Sequence, residues 1–302
     1  MIIPIIISLL SLSPLSHAAS KNKLNFSQQN QVKADHPIQD LDYDDKSGTA
    51  AFYGQNYFWV WETKKNKLTK IDLHGDLVNE NRFIATKASA NGVIAISEES
   101  IDWVSNTPLK IKRYDYSTNA ILGIGSHDAN IWWITPNKMF LFDTKSLSLT
   151  AKKLTLELSN QSKVSLSNDG TLIFTEGKKV KTSQNQKIST LFINKNNILG
   201  IQNRKNYTIA WSKKELTWLS SDEDKPLIIP VQKNQNLIAT YWTPDTHRYI
   251  FQDGSLISYE LQTKSQKQYQ VTKGKFNSVK LHNSGLSFID SEGYPTIIKL
   301  NH

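Results

Sequence analysis

Three features of the sequence predict an all-β chain folded as a seven-bladed β-propeller of four-stranded antiparallel blades. Short apolar runs alternate with Asn, Asp, Gly, Ser and Lys turns, and almost no helical periodicity occurs beyond residue 37. The runs group in fours, and the groups start roughly every 36 to 45 residues, close to the ~40–45 residues of a four-stranded blade. Within each group the second run is apolar on both sides, as suits a strand covered on both faces, while the fourth alternates, as suits an outer strand with one wet side. Six- and eight-bladed counts are the alternatives.

The elements follow in chain order. Residues 1–18 read as a secretory signal peptide: Ile2 to Leu15 are almost wholly apolar, and Ser16-His17-Ala18 supplies small residues at −3 and −1, with cleavage after Ala18. The n-region offers only the α-amino group. The apolar stretch carries Pro4 and Pro14 and falls short of the ~20 residues that span a bilayer. No later segment approaches that length, so residues 19–302 are expected to form one propeller domain with no membrane span, in a periplasm or secreted. No Cys follows the leader or occurs elsewhere, which excludes a lipid-anchored lipoprotein and any disulfide.

Blade one is expected at Ile38–Tyr43, Thr49–Tyr53, Tyr57–Trp61 and Lys67–Leu73, and blade two at Phe83–Ala88, Gly92–Ser97, Ile101–Val104 and Leu109–Asp115. Blade three spans Ile121–Gly125, Asn130–Thr135, Lys138–Asp143 and Ser148–Leu156; blade four spans Ser162–Leu166, Thr171–Thr175, Lys178–Lys181 and Lys187–Phe192. Blade five spans Ile198–Gln202, Tyr207–Ser212, Glu215–Leu219 and Leu227–Val231; blade six spans Leu237–Thr243, Arg248–Gln252, Ser255–Glu260 and Gln266–Val271. Blade seven has only Phe276–Leu281, Gly285–Asp290 and Tyr294–Leu300. The segment Leu24–Val32 alternates at Leu24 and Phe26, and is expected to supply the missing outer strand beside Tyr294–Leu300, removing an open seam.

The turns before the second strands share Asp, Asn and Gly, which supply side-chain turn bonds and positive φ. Ser167-Asn168-Asp169-Gly170-Thr171-Leu172-Ile173-Phe174, with Asn for Pro, and Thr243-Pro244-Asp245-Thr246-His247-Arg248-Tyr249-Ile250-Phe251, with Thr for Gly, follow the pattern Ser-Pro-Asp-Gly, spacer, apolar strand. On these residues the chain resembles exported bacterial propellers of the TolB-like and WD-repeat-like kind, at the level of fold. The Trp-Asp ending of true WD repeats is absent.

Composition bounds the chemistry. The 302 residues are 38% hydrophobic and 21% charged, enough for a sizeable core. The net charge is +9, from 36 basic and 27 acidic residues, and only Arg82, Arg113, Arg204 and Arg248 among the basic ones are Arg. A Lys-dominated surface lacks the bidentate donors that read nucleic acid, so no specific nucleic-acid partner is expected. The histidines are scattered and show no metal-ligand spacing; no Gly-x-Ser-x-Gly or phosphate loop occurs. No catalytic residue, metal ligand or cofactor is expected. Asp40 and Asp42, on the first strand of blade one, face Lys87, Lys163 and Lys280 on other first strands and are expected to pair with lysines. Tyr57, Trp59 and Trp61 share one strand face, Trp132 and Trp133 take opposite faces, and His247 is expected in a turn beside Asp245.

The function expected from these features is a non-catalytic binding or scaffold propeller of the cell envelope that mediates protein–protein interaction, an accessory of an export, pilus or outer-membrane assembly. The alternatives are a binder of polyanion or glycan, suggested by the Lys excess, and a hydrolase or lyase with an unrecognised channel site. Its partner would be another envelope protein or complex, or an anionic polymer. The expected interface is one end of the blades, built from inter-blade and second-to-third-strand loops. The inter-blade loop gives His74, Leu77, Val78 and Arg82; the second-to-third-strand loops give Glu98, Glu99, Glu176, Lys213, Lys214, Asp253 and Glu292.

Overall fold

A computed structural model describes residues 28–300 apart from 55–56, 73–81, 106–108, 117, 119, 128, 168, 185–186, 205–206, 223, 232–235, 244–245, 261–264 and 272–277. The leader, its cleavage site, Leu24 and Phe26 lie outside these residues. The described residues hold no helix, and so none long and apolar enough to cross a membrane. They form seven four-stranded antiparallel sheets, the blades of a β-propeller.

The N-terminal strand β1 (Gln28–Gln31) is followed by blade one, β2 (Asp40–Asp44), β3 (Thr49–Tyr53), β4 (Phe58–Glu62) and β5 (Lys67–Ile71). Blade two is β6 (Phe83–Ser89), β7 (Gly92–Ser97), β8 (Ser100–Ser105) and β9 (Ile111–Asp115); blade three is β10 (Gly123–His127), β11 (Asn130–Ile134), β12 (Lys138–Asp143) and β13 (Ser148–Lys153). Blade four is β14 (Val164–Leu166), β15 (Leu172–Glu176), β16 (Lys179–Gln184) and β17 (Lys187–Ile193); blade five is β18 (Gly200–Arg204), β19 (Tyr207–Trp211), β20 (Glu215–Ser220) and β21 (Leu227–Pro230). Blade six is β22 (Leu237–Trp242), β23 (Thr246–Phe251), β24 (Ser255–Glu260) and β25 (Ser265–Gln270), and blade seven opens with β26 (Ser278–His282), β27 (Gly285–Ile289) and β28 (Pro295–Lys299). Each predicted run overlaps one of these strands.

The expected closing strand forms, over Gln28–Gln31; the alternation at Leu24 and Phe26 falls outside the described residues. β1 pairs antiparallel with β28, setting Gln28 opposite Lys299 and Gln31 opposite Thr296. The Val32 amide continues the contact to the Pro295 carbonyl at 3.3 Å, and Gln31 Nε2 donates to Asp290 Oδ2 at 2.7 Å. A polar strand thus covers the edge of β28, whose Ile297 and Ile298 are fully buried.

The chain divides into two compact units, Ser27–Ser162 with Phe276–Leu300, and Lys163–Lys275. In the first, apolar layers lie between successive blades: Leu41, Phe52, Trp59 and Trp61 pack with Ile289 and Ile297 of blade seven, while Ala51, Phe58 and Val60 pack with Phe83, Val93 and Val104 of blade two. β4 therefore spends alternate residues on opposite layers, as its period of two requires. A third layer joins Ile94, Ile96 and Trp103 to Trp133, Phe140 and Phe142. In the second unit, Ile173, Val180 and Phe192 meet Ile201 and Ala210, and Ile209, Leu216 and Trp218 meet Leu237, Tyr249 and Phe251. Second strands are buried along most of their length, wholly so in β3, β7, β23 and β27. The outer strands depart from simple alternation. Ile71 and Tyr269 do alternate with exposed neighbours, but β13 keeps only Leu149 half-buried.

Trp132 and Trp133 take opposite faces. Trp133 stacks on its cross-strand partner Phe140, with centroids 5.0 Å apart and planes within 4°. Trp132 lies over its partner Gly125, where an added Cβ would meet the indole at 2.4 Å. Trp211 covers Gly200 in the same way in blade five, at 2.2 Å. A first-strand glycine opposite a second-strand tryptophan is a packing device that two blades share.

Candidate functional site

The first strands of blades seven, one and two bring a charged cluster together in the unit that contains them. On β2, Asp40 and Asp42 alternate with the core residues Leu41 and Tyr43. Asp40 accepts from Lys280 Nζ at 2.9 Å and from Ser278 Oγ at 2.6 Å, both on β26. Asp42 accepts from Lys87 Nζ at 2.8 Å and from the Ala88 amide at 2.9 Å, both on β6. The expected pairing of these acids with lysines is therefore present for Lys87 and Lys280. Lys280 keeps about a third of its side chain exposed. Burial opposes its ammonium, but the charges of Asp40 and Asp42 outweigh burial and raise its pKa. Two acids and two ammonium groups make a balanced set, with the carboxylate lone pairs spent on lysines rather than converging on one point. Among the described residues no group of three His, Asp or Glu is placed to hold a metal ion.

At the turn end of the same strands, Asp45, His282 and Ser284 meet. His282 Nδ1 lies 2.9 Å from Asp45 Oδ1, the Ser284 amide donates to Asp45 Oδ2 at 3.0 Å, and the Ser284 hydroxyl donates to Asp45 Oδ1. Burial pushes the Asp45 carboxyl up, but the bonds from His282 and Ser284 and the imidazolium charge prevail and bring it down to about 2. These are the residue types of a nucleophilic triad without its geometry. A triad places the base between nucleophile and acid through two different ring nitrogens. Here Ser284 Oγ approaches the same Nδ1 at 3.3 Å and donates its hydrogen bond to the carboxylate rather than to the imidazole. The trio ties the β26–β27 turn of blade seven to the β2–β3 turn of blade one. Sequence reasoning missed it: Asp45 and Ser284 were visible as turn residues, but 239 positions separate them.

The aromatic face of β4 is occupied by the protein itself. Trp59 and Trp61 are core. The Tyr57 ring carries His36 at 3.6 Å between centroids and Lys70 Nζ at 3.9 Å, and Asp35 bridges Lys70 at 3.1 Å and His36 at 3.1 Å. His247 sits on β23 rather than in the preceding turn. It is only 4% exposed, and burial lowers its pKa to about 4. Asp245 lies outside the described residues.

The predicted interface residues divide between the two units. His74, Leu77 and Val78 lie outside the described residues. Arg82, Glu98, Glu99 and Glu292 are exposed in the first unit. The Glu98 amide donates to the Arg82 carbonyl at 3.1 Å, and the Glu98 and Glu99 carbonyls accept from Thr118 and Tyr116, so these loops are brought together. Glu292 follows Asp290 in the β27–β28 turn, where its amide bonds Asp290 Oδ1 at 2.9 Å. Glu176, Lys213, Lys214 and Asp253 are exposed in the second unit. Glu176 is paired with Lys181 Nζ at 2.6 Å, and Asp253 accepts from the Ser255 amide at 2.9 Å and hydroxyl at 2.6 Å. Lys213 and Lys214 use their carbonyls to accept from the Leu237 and Val231 amides.

No protein-family model and no curated protein matches the chain. Solved structures do. YCF48 from Cyanidioschyzon merolae is similar with a TM-score of 0.63 at 10% identity, over 90% of this chain and 98% of that one. The Pan2 WD40 domain of Neurospora crassa is similar with a TM-score of 0.62 at 11% identity, over 88% of this chain and 90% of that one. At such identities the likeness is one of fold, and the chain has the fold of the WD40-like β-propellers.

Proposed function

We propose that this chain is a non-catalytic interaction propeller of the cell envelope, exported under its N-terminal leader and cleaved after Ala18, serving as an accessory of an export, pilus or outer-membrane assembly. The observation that carries the reading is where the polar chemistry goes. The charges of the first strands and the turn beside them are spent on one another, Asp40 with Lys280, Asp42 with Lys87 and Asp45 with His282. The strand-end loops, by contrast, hold Arg82, Glu98, Glu99, Glu292, Lys213 and Lys214 out in solvent. Groups engaged within the fold preserve the scaffold; exposed loop groups on a rigid scaffold are free to meet a partner. In the sequence, the connection between blades one and two also carries Leu77 and Val78 a few positions before Arg82, the mixture of apolar and charged residues that suits a protein interface.

The test is recovery of partners from the envelope fraction on immobilised mature protein, compared with the double variant Leu77→Ser, Arg82→Glu. Discrete proteins retained by the native chain and lost from a variant with an unchanged melting curve support the reading. Full recovery by that variant moves the interface off this loop, and no recovery by either protein refutes the scaffold role.

A further inference from the structure

The basic charge is not spread evenly. Lys163–Lys275 holds 17 Lys and Arg against 9 Asp and Glu, a net +8 of the chain's +9. Antiparallel topology gathers part of that excess at one end of blades four and five: the ends of β15, β17 and β19, the starts of β16, β18 and β20, and the connection between the blades all lie together. Hydrogen bonds confirm the arrangement. The Asn194 amide donates to the Lys178 carbonyl at 2.9 Å, Leu199 to the Trp211 carbonyl at 2.8 Å, and Lys195 and Asn196 to Glu215 Oε1 at 3.0 and 3.2 Å.

This end presents Lys178, Lys179, Lys195, Lys213 and Lys214, all exposed. The acids nearby are engaged: Glu215 is buried beneath the connecting loop and caps its amides, and Glu176 is paired with Lys181. Among the lysines stand two apolar side chains that the fold leaves in water. Ile193, at 61%, is the most exposed large apolar residue described, and Leu199 is 38% exposed. Ile193 is opposite Lys179 in the sheet, and Leu199 opens the strand beside the turn that holds Lys213.

We propose that this end of blades four and five is a docking surface for an acidic protein segment that carries aliphatic side chains. The inference rests on the interaction reading above and names the chemistry of the partner. Charge complementarity selects an acidic partner and steers it to the surface. Ile193 and Leu199 decide its class, since a sulfated or phosphorylated polymer has no use for two aliphatic contacts. Single-stranded nucleic acid needs exposed aromatic platforms, and the exposed large apolar residues described are all Leu or Ile. Interfacial membrane binding scales with the apolar area inserted, and two separate aliphatic side chains offer little of it.

The test uses the mature protein and a fluorescent peptide of alternating Glu and Leu, with an all-Glu peptide, heparin, and vesicles of equal parts phosphatidylglycerol and phosphatidylethanolamine as comparisons. The Glu-Leu peptide is expected to bind with an affinity that falls as salt rises, and more tightly than the all-Glu peptide. Lys178→Glu with Lys213→Glu and Lys214→Glu should weaken it about tenfold or more, and Ile193→Ser with Leu199→Ser several-fold. Lys110→Glu with Lys145→Glu, exposed lysines of the other unit, should leave it unchanged. All these positions are exposed, and an unchanged melting curve confirms that each variant folds. Peptide binding indifferent to the reversals overturns the proposal. So does tighter binding of heparin or vesicles that ignores the Ile193→Ser, Leu199→Ser change. Envelope proteins recovered in the pull-down while the peptide fails to bind leave the interaction role standing and overturn only this surface.

Discussion

Substituting Gly200 by Ala tests whether the glycine–tryptophan pairing in blade five holds the sheet in place. An alanine Cβ at 200 would meet Trp211 Cζ2 at 2.2 Å and Cη2 at 2.6 Å, both well inside the 3.4 Å at which ordinary contact begins. The indole is not free to yield, because its Nε1 donates to the Ile238 carbonyl on blade six at 3.0 Å and its ring packs against the layer around Leu216, Trp218 and Tyr249. Displacing it forfeits that hydrogen bond and leaves a carbonyl short of a partner, about 1–2 kcal/mol. Lost indole packing adds about 1–2 kcal/mol. The expected cost is about 2–4 kcal/mol, read as a lower urea midpoint with the slope unchanged. The same substitution in a Trp211→Ala background should be near neutral, since alanine suits a strand better than glycine by roughly 0.5–1 kcal/mol. A double-mutant cycle in intrinsic fluorescence and circular dichroism measures the difference. If Gly200→Ala costs the same in both backgrounds, the close approach is not what excludes a side chain at 200.

Three further outcomes are expected. Deleting residues 19–35 removes β1, the Gln31–Asp290 bond and the packing of Val32 and Ala34, which should lower the melting temperature by about 5–10 °C and promote aggregation through the bared β28 edge; an unchanged melting curve would count against closure by this strand. His247, brought to about 4 from an unfolded value of 6.5, binds its proton more readily in the unfolded chain, so stability is full above pH 6.5 and falls by up to about 3 kcal/mol as the pH drops toward 4. A His247→Gln variant should lose that slope in urea midpoints between pH 7 and 4.5, and a slope identical to the native chain's would assign it to another group. Asp102, buried at 1% exposure, accepts from Arg113 Nε at 2.8 Å and Ser100 Oγ at 2.9 Å, so Arg113→Met, which leaves that buried carboxylate without its cation, should destabilise by about 3 kcal/mol, while Asp102→Ala, which strands a guanidinium already partly in water, should cost less by the same denaturation assay.

The amino-acid sequence by itself determined the strands and their grouping. Period-two runs and Asp, Asn and Gly turns are local signals, and a blade is a local object, four consecutive strands joined by tight turns. The closing strand was legible because the seventh group offered only three runs and the segment before blade one was not spent on any blade. The pairing of Asp40 and Asp42 with lysines followed from the sign of the residues on neighbouring first strands, and Lys280 and Lys87 are where that reasoning placed them. What only the tertiary structure decided are contacts between blades distant in sequence. Asp45 meets His282 and Ser284 because blades one and seven are neighbours, and no local pattern couples positions so far apart. The burial of His247 also lay beyond the sequence, since a polar residue at the edge of a turn reads as solvated until the strand beside it is seen to be covered. The distribution of charge shows the same division. The sequence counts an excess of lysine, but which lysines stand free depends on where each acid is spent, and Glu215 is taken by two loop amides that only the folded chain brings to it.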